Sequence, residues 1–324
     1  MQNNLAGSES LNMASDKPLI TFALFAYNQE AFIREAIEGA FAQDYQPLEI
    51  ILSDDASTDG TFRIIEEMAA SYLGPHTVKI LRGETNAGLI NHINKVVEHV
   101  SSDFIVMAAG DDISLPWRVS SIAEVLRRDK TVTAVFSECI EFSGDSKRLM
   151  PRCPKDFVAT QTPLIEILMN AGGVGIGATY AYHKKCFIWP DVLPGNIFSE
   201  DRILPLRAAL FGRVCKIEIP LLNYRKTEGS LTSVLIQSKR LSHQDQGHWS
   251  EMKNALTGAT RPGLAGLAYT VLLKRVVDIR TFALKLDGLA ERSESGIFRA
   301  VSFLILLPLR AMRKFSERRK IHVG

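Results

Sequence analysis

The chain has 324 residues, of which 46% are hydrophobic and 23% are charged, and its formal net charge is +2. This composition excludes global disorder, and the length suffices for one large domain with an appendage or for two modest domains. The four cysteines are widely spaced and form no CxxC pair, which argues against a zinc site and for a reduced, cytoplasmic protein.

The first 17 residues are polar and contain no apolar run, so they are predicted to be a disordered leader, neither a signal peptide nor an anchor. From there to about residue 140, short β-type runs alternate with helical stretches. Strands are predicted at 19–28, 48–55, 77–83, 104–110 and 132–140, and helices at 30–43, 60–73, 89–100 and 116–128, the second capped by Asp59. Strands that recur with intervening helices indicate an α/β fold with a mostly parallel sheet and helices on both faces.

The later part of the chain is less regular. Residues 143–162 are predicted to be a loop, 164–169 a short helix and 213–225 a strand, and the pattern is helical from about residue 237 to the end. Between them lies the glycine-rich stretch "GGVGIG", which is not placed between the first strand and its helix, where a dinucleotide-binding loop belongs. It is predicted to be a flexible loop on the acceptor side.

Polar residues, with one glycine, lie at or just after the ends of the first four predicted strands. These are Tyr27 and Asn28, then Asp54 and Asp55, then Asn86 and Gly88, then Asp111 and Asp112. In open α/β sheets ligands bind at the carboxyl ends of the strands, so these groups are expected to share one rim. A rim rich in aspartate and poor in lysine suits Mg²⁺ or Mn²⁺, which would neutralise a diphosphate. The alternative is that each aspartate pair is a solvated turn that caps the next helix.

The order of these motifs resembles the inverting family 2 glycosyltransferases of the bacterial surface-polysaccharide type, which have a GT-A fold. The matching features are Tyr27-Asn28, Gln43-x-Tyr45, "SDDASTD", Asn86-x-Gly88, the pair Asp111-Asp112 with a proline downstream, and Glu200-Asp201. The resemblance covers residues 18–235 and implies a GT-A domain there, with residues 236–324 as a helical C-terminal region. It implies transfer of a sugar from a UDP- or dTDP-sugar to a glycan or a lipid-linked glycan.

The resemblance also implies roles for single residues. Those assigned to the nucleotide are Tyr27, Asn28, Asp54, Asp55, Asn86, Gly88 and Asp111. Tyr27 would pack against the base, and Asp54 or Asp55 would accept a hydrogen bond from the imide N–H of uracil or thymine. Asp111 and Asp112 would contact the ribose and a divalent cation, Mn²⁺ or Mg²⁺.

Asp201 would be the base that takes the proton of the acceptor hydroxyl, with Glu200 as its neighbour or as an acceptor ligand. The alternative is that Asp201 only caps a helix. Arg225 and Ser230 would lie near the diphosphate, or Arg225 would be a surface cation. The chain departs from the family pattern at three places, namely Ala109-Gly110 in place of the first two letters of "DADD", Thr227 in place of a histidine, and Ile93 in place of an arginine.

The C-terminal segment 297–324 contains seven basic residues and one acidic residue, and ten uncharged residues, Ala300 to Leu309, lie within it. Ten residues are half of the roughly 20 that a spanning helix needs. The segment is therefore predicted to be an amphipathic helix lying on the anionic inner face of the plasma membrane, with no nucleic-acid partner. The alternative is a buried packing helix with a solvated basic end.

Two further functions compete with glycosyl transfer. A catalytically silent member of the same fold would bind the nucleotide through the same rim and act as a partner protein. A nucleotidyltransferase would need a glycine-rich, basic loop after the first strand, and the segment "AYNQEAF" does not have that character.

Overall fold

A computed structural model of the protein describes residues 17–144, 156–169, 174–197, 199–226, 251, 254–255 and 320–323. The predicted leader up to residue 16, Thr227, Ser230 and the predicted amphipathic segment up to residue 319 lie outside the described residues. The division into domains at residue 235 stays a prediction.

The described strands form one sheet. They are β1 Ile20–Ala26, β2 Leu48–Asp54, β3 Thr77–Arg82, β4 Phe104–Ala109, β5 Ile113–Ser114, β6 Val132–Phe142, β7 Phe157–Thr162, β8 Ala181–His183, β9 Arg213–Arg225 and β10 Lys320–Val323. Their order is β10-β7-β9-β6-β8-β4-β1-β2-β3, and β5 pairs with β9 off this path. The fold is therefore α/β, as predicted.

The described helices connect and cover these strands. They are α1 Ile33–Phe41, α2 Thr61–Ala70, α3 Leu89–Glu98, α4 Arg118–Arg128, α5 Leu164–Met169, α6 Lys185–Ile188 and α7 Leu204–Phe211, with 3₁₀ turns at Gly177–Thr179 and Glu200–Arg202. In the part of the chain that is described, no helix combines the length and the apolar content needed to cross a bilayer.

The four strands β3, β2, β1 and β4 are all parallel, as the alternation of strands and helices predicts. Every residue of β1 and β2 is buried, because helices cover both faces of this part of the sheet. Along β1, Phe22 and Leu24 pack with α1, α2 and α4, whereas Ala23 and Phe25 pack on the other face with α3 and α7. The carboxyl ends of β1, β2 and β4 consequently meet at one edge.

Two short strands correct the sequence prediction. β7 lies within the segment predicted to be a loop, and β10 ends a region predicted to be helical. β7 pairs antiparallel with β9, and β10 pairs antiparallel with β7. Both are short, and the hydrogen bonds that define them come from partners far away in the sequence. Local periodicity therefore gives little sign of either strand.

Part of the region after residue 235 packs into the same core. Ala255 is fully buried in the cluster that contains α3 and α7. Glu251 is 7% exposed, and its carboxylate forms an ion pair of 2.5 Å with Arg207 of α7, which is 1% exposed. Glu251 and Ala255, which lie beyond the predicted boundary, thus pack against the core of the α/β sheet.

Candidate functional site

The predicted rim forms at the carboxyl ends of β1, β2 and β4. Ala26 lies beside Asp54 in the strand register, and Phe25 lies beside Ala109. The N–H of Asp55 donates to the carbonyl of Ala26 at 2.9 Å, so the turn after β2 is fixed to the end of β1. The structure therefore places the β1–α1 loop between the two aspartate pairs, one strand away from each.

The β1–α1 loop presents Tyr27 and uses Asn28 as an anchor. Asn28 has a positive φ of 51°, its N–H donates to Ser57 Oγ at 2.8 Å, and its Oδ1 accepts from the N–H of Thr58 at 2.9 Å. The ring of Tyr27 is 42% exposed. Tyr27 is thus available to pack against a base, while the Asn28 side chain fastens two loops together.

Asp54 and Asp55 are buried and make hydrogen bonds within the protein. Asp54 accepts from the N–H of Ser57 at 2.9 Å. Asp55 accepts from the N–H groups of Ala87 and Gly88, at 3.0 and 2.9 Å. Gly88 has φ +77°, a conformation that favours glycine, and Asp55 holds it at the start of α3. Each carboxylate oxygen has a second lone pair, so Asp55 retains capacity for another donor.

The third aspartate of the "SDDASTD" block closes the same loop system. Asp59 Oδ1 accepts from the N–H of Thr61 at 3.0 Å, at the start of α2. Its Oδ2 accepts from the N–H of Glu30 at 3.1 Å, and Glu30 in turn accepts from the N–H of Gly60 at 2.6 Å. The N-cap of α2 is Gly60 and not Asp59 as predicted, yet the Asp59 carboxylate accepts from the first N–H of the helix and ties α2 to the β1–α1 loop.

Asp111 and Asp112 form the turn after β4, and the buried cations Arg225 and Arg118 lie near them. Asp112 is 5% exposed, and its Oδ1 accepts from the N–H of Arg225 at 2.8 Å. Its Oδ2 is buried and has no hydrogen-bond partner among the described residues. Burial, and then the neighbouring Asp111, raise the pKa of Asp112 to about 8, and burial also raises the pKa of Asp111.

These two carboxylates fit a divalent cation that keeps several positions open. No group of three or more histidine, cysteine, aspartate or glutamate residues is arranged to hold a metal within the described ranges. Mg²⁺ is commonly held by one or two carboxylates together with substrate phosphates. The unpartnered Oδ2 of Asp112 fits this kind of ligation, since an unneutralised buried carboxylate is costly.

Close packing around Gly110 accounts for the second of the two departures from the "DADD" pattern, glycine in place of alanine. A Cβ atom there would overlap Oε1 of Gln29 and would lie 3.1 Å from the Cβ of Ala26. Gln29 also donates a side-chain hydrogen bond to Asp111, which lowers the pKa of that carboxyl against the larger effect of burial. Gln29, which the sequence motifs did not single out, links the β1–α1 loop to the aspartate pair.

Arg225 is buried beside the aspartate pair and not at the surface. It is 8% exposed, and its guanidinium carbon lies 4.6 Å from the ring centre of Phe32 and 4.5 Å from that of Phe142. Its Nε donates to the carbonyl of Asp111 at 2.9 Å, and its Nη2 forms an ion pair with Glu35. The structure therefore brings Arg225 to the site with its guanidinium already engaged by α1 and the β4 turn.

Arg118 is a second buried cation that the sequence analysis did not select. It is fully buried, and its Nη2 donates to the carbonyl of Met107 at 2.8 Å and to that of Ala178 at 2.6 Å. Burial lowers its pKa to about 10, and the charge of Asp112 opposes that shift. An arginine on the apolar face of the helix "PWRVSSIAEVLRR" was the available signal. Arg118 connects β4 to the 3₁₀ turn Gly177–Thr179.

Glu200 and Asp201 lie at the start of the 3₁₀ turn that precedes α7. Glu200 is 7% exposed, and burial followed by the adjacent Asp201 raises its pKa to about 8. Asp201 is half-buried, its Oδ1 accepts from the Ser199 hydroxyl, and its Oδ2 accepts from the N–H of Gly177 at 3.2 Å. The glycine-rich stretch therefore contacts the carboxylate pair directly.

Comparison with known families identifies the part of the chain that carries this rim. Residues 21–176 match the family model described as Glycosyl transferase family 2. These residues belong to glycosyltransferase family 2. EpsE of Bacillus subtilis (strain 168) is 32% identical over 160 residues, covering 48% of this chain and 57% of EpsE. Glycosyltransferase GlyG of Streptococcus pneumoniae serotype 4 is 23% identical, covering 56% of this chain and 58% of GlyG. The chain thus spans less than two thirds of these curated relatives.

Solved structures show the same fold around the family 2 segment. TarS of S. aureus (residues 1–349, in complex with UDP-GlcNAc) has a TM-score of 0.61 at 17% identity, covering 83% of this chain and 72% of that chain. The mannosyltransferase PcManGT of Pyrobaculum calidifontis, in complex with GDP-Man and Mn²⁺, has a TM-score of 0.54 at 17% identity. The match covers 92% of this chain and 84% of PcManGT. The GT-A fold is thereby confirmed.

Proposed function

We propose that the protein is a metal-dependent inverting glycosyltransferase that moves a sugar from a UDP- or dTDP-sugar to a glycan or lipid-linked glycan. The observation that carries the proposal is the buried, unpartnered Oδ2 of Asp112, next to Asp111, on the rim of a family 2 domain. A bound Mn²⁺ or Mg²⁺ would neutralise charge on the departing diphosphate. Asp112 and Asp111 would hold it.

The nucleotide would lie across the ends of β1 and β2. Tyr27 would pack its exposed ring against the base, and Asp55 would accept the imide N–H of uracil or thymine with a lone pair that Ala87 and Gly88 leave free. The Asp55 assignment favours a pyrimidine with an imide, whereas packing against Tyr27 suits any base. PcManGT is in complex with a guanine nucleotide sugar, so a GDP-sugar is the rival donor on the same fold.

Asp201 would act as the single base. The acceptor hydroxyl would give its proton to the Asp201 carboxylate while its oxygen forms a bond to the anomeric carbon, and the bond from that carbon to the diphosphate oxygen would break on the opposite face. Inversion follows from attack opposite the leaving group. Glu200, buried with a pKa near 8, would remain protonated at neutral pH, so only Asp201 would be ready to receive a proton.

The acceptor and location complete the proposal. The basic segment 297–324 would hold the protein on the anionic inner face of the plasma membrane, where lipid-linked glycans are accessible. Ser230 would lie near the diphosphate, and it belongs to the residues outside the described ranges.

Calorimetric titration tests the donor and metal assignments together. UDP, dTDP, GDP and ADP are each titrated with Mn²⁺ and with EDTA into the wild type, Asp112→Asn and the control Asp103→Asn, whose aspartate is exposed and away from the rim. Mn²⁺-dependent binding of UDP or dTDP that disappears in Asp112→Asn alone supports the proposal. Nucleotide binding of the same affinity with Mn²⁺ and with EDTA, and in the wild type and Asp112→Asn, would contradict the proposal. So would the absence of binding by all four nucleotides.

Turnover separates an enzyme from a silent nucleotide-binding member. Release of nucleoside diphosphate from UDP-N-acetylglucosamine and from GDP-mannose, with water or added glycans as acceptor, is measured for the wild type and Asp201→Asn. An enzyme loses release in Asp201→Asn and keeps nucleotide binding. A silent member binds nucleotide in both forms and releases nothing in either.

A further inference from the structure

The glycine-rich stretch has no role in the proposed chemistry, yet its last glycine touches both acidic residues of the acceptor side. Gly177 begins the 3₁₀ turn Gly177–Thr179, and its N–H donates to Asp201 Oδ2 at 3.2 Å. A Cβ atom at Gly177 would overlap Oε1 of Glu200 and would lie 3.6 Å from the Cβ of Asp201. The same residue thus supplies a donor to one carboxylate and leaves room for the other.

The turn that carries Gly177 is fixed from several directions. The carbonyl of Ala178 accepts from Arg118 at 2.6 Å, and that guanidinium is bound at the same time to β4 through Met107. Within the turn, the N–H of Thr179 donates to the carbonyl of Ile176 at 2.8 Å. The turn therefore has a defined position relative to the strand that ends in the aspartate pair.

Aromatic rings close the other side of the turn. Tyr180 follows it and stacks on Phe136 with ring centres 4.9 Å apart and on Tyr182 with ring centres 4.8 Å apart. A Cβ atom at Gly175 would lie 2.7 Å from Phe136 and 3.0 Å from Tyr180. Rings on one side and Arg118 on the other leave the turn little freedom to move away from the two carboxylates.

We infer that Gly177 is a positioning residue: its N–H orients the Asp201 carboxylate, and its missing side chain is the space in which the Glu200 carboxyl sits. This inference rests on the proposed function of Asp201 as the base. Gly177 acts through the two acidic residues, so changing it alters the rate of transfer and leaves donor binding at the β1–β2 rim unchanged.

Two substitutions separate the space from the N–H. Gly177→Ala adds a methyl group against Glu200 and keeps the N–H. Gly177→Pro adds a comparable carbon and removes the N–H, and the backbone accepts proline because Ile176 is extended, with φ −86° and ψ 135°, and position 177 begins a helical turn. Gly195→Ala is the control, since its methyl would meet the side-chain end of Asn91 at 2.6 Å, away from the carboxylates.

The kinetic readout is release of UDP from UDP-N-acetylglucosamine or of GDP from GDP-mannose, whichever the wild type uses. Gly177→Ala is expected to lower kcat by about 100-fold with the donor KM unchanged. In a Glu200→Ala background, the same change is expected to cost less than about threefold, because the overlapping group is gone. The acid limb of the pH–rate profile is expected to lie at higher pH in Gly177→Pro than in Gly177→Ala. The reason is that losing the N–H donor to the ionised Asp201 carboxylate raises the pKa of that group.

The outcomes distinguish this inference from the proposed function. If Asp201→Asn abolishes turnover but Gly177→Ala behaves like Gly195→Ala, the inference is wrong and the proposed function stands. If the wild type has no turnover, the proposed function fails, and urea unfolding of the four proteins in the Gly177–Glu200 cycle still decides the contact. If the two substitutions change the unfolding equilibrium constant by factors that simply multiply, the contact is overturned, and a departure from that product of about tenfold would support it.

Discussion

The buried ion pair between Arg207 and Glu251 predicts that the region after residue 235 is needed for the stability of the α/β core. Arg207 is 1% exposed, and its Nη1 donates to the carbonyls of Asp191 and Cys186 at 2.8 and 3.1 Å. Glu251 is the acid that pairs with it among the described residues, at 2.5 Å. Glu251→Ala leaves the guanidinium buried, with neutral carbonyl acceptors and no counter-charge.

The expected cost follows from burial of both partners. Removing one member of a buried pair typically destabilises a protein by about 3–5 kcal/mol, because the remaining charge stays desolvated. Replacing both charges with apolar residues removes that penalty, so Arg207→Met/Glu251→Leu is expected to recover most of the loss. A chain ending at residue 235 loses Glu251 and the buried Ala255 together and is expected to be destabilised at least as much.

Urea unfolding followed by circular dichroism gives the free energy of unfolding for each protein. The control is Glu66→Ala, since Glu66 is exposed on α2 and a surface change of that kind costs within about 0.5 kcal/mol. If Glu251→Ala and Glu66→Ala have the same free energy of unfolding, the ion pair does not hold the C-terminal region to the core, and the reasoning is refuted.

Three further predictions concern the rim and the acidic pair. Arg225→Met removes the guanidinium that donates a hydrogen bond to the Asp111 carbonyl. Calorimetry is expected to show Mn²⁺-dependent nucleotide binding weakened by about tenfold or more. An unchanged affinity would mean that Arg225 contributes only to packing. Buried Glu200 keeps its proton to a pKa of about 8, and the unfolded chain loses it near the ordinary value of 4.5, so stability falls as the pH rises between these values. Glu200→Gln is expected to reduce that slope by up to about 1.4 kcal/mol per pH unit in urea unfolding with EDTA present, and equal slopes would contradict the raised pKa. Gly88→Ala forces a side chain into φ +77°, ψ 158°, and is expected to cost about 1–3 kcal/mol, although a Cβ there would meet no atom within 4 Å.

The parallel half of the sheet could be predicted from the sequence because its signals are local. β1, β2 and β4 are largely buried apolar runs, and β3 is a short β-type run that is partly exposed at the edge of the sheet. The helices between them have apolar residues every third or fourth position, which the burial of Ile33, Ala36, Ile37 and Ala40 in α1 confirms. The position of the rim could then be predicted as well, because the carboxyl ends of parallel strands meet at one edge of the sheet. These inferences needed no contact between distant residues.

The rest depends on contacts that no local pattern encodes. β7 and β10 exist because each finds a partner strand far away in the sequence. The engagement of Arg225 with Glu35, and of Arg118 with the carbonyl of Ala178, arises only when separate elements pack together. Charged residues that lie on apolar helical faces are the main warning that such contacts exist, and Arg118 is the example here.

The four-residue strand β10 also bears on how the protein behaves at high concentration. A sheet edge offers unpaired N–H and C=O groups to which another chain can add, and short strands with charged residues make poor templates for such growth. β10 covers the edge of β7 with a strand that begins with Lys320 and exposes His322. Variants that unpair β10 would offer the six-residue strand β7 to neighbouring molecules, so we expect them to self-associate more readily than the wild type.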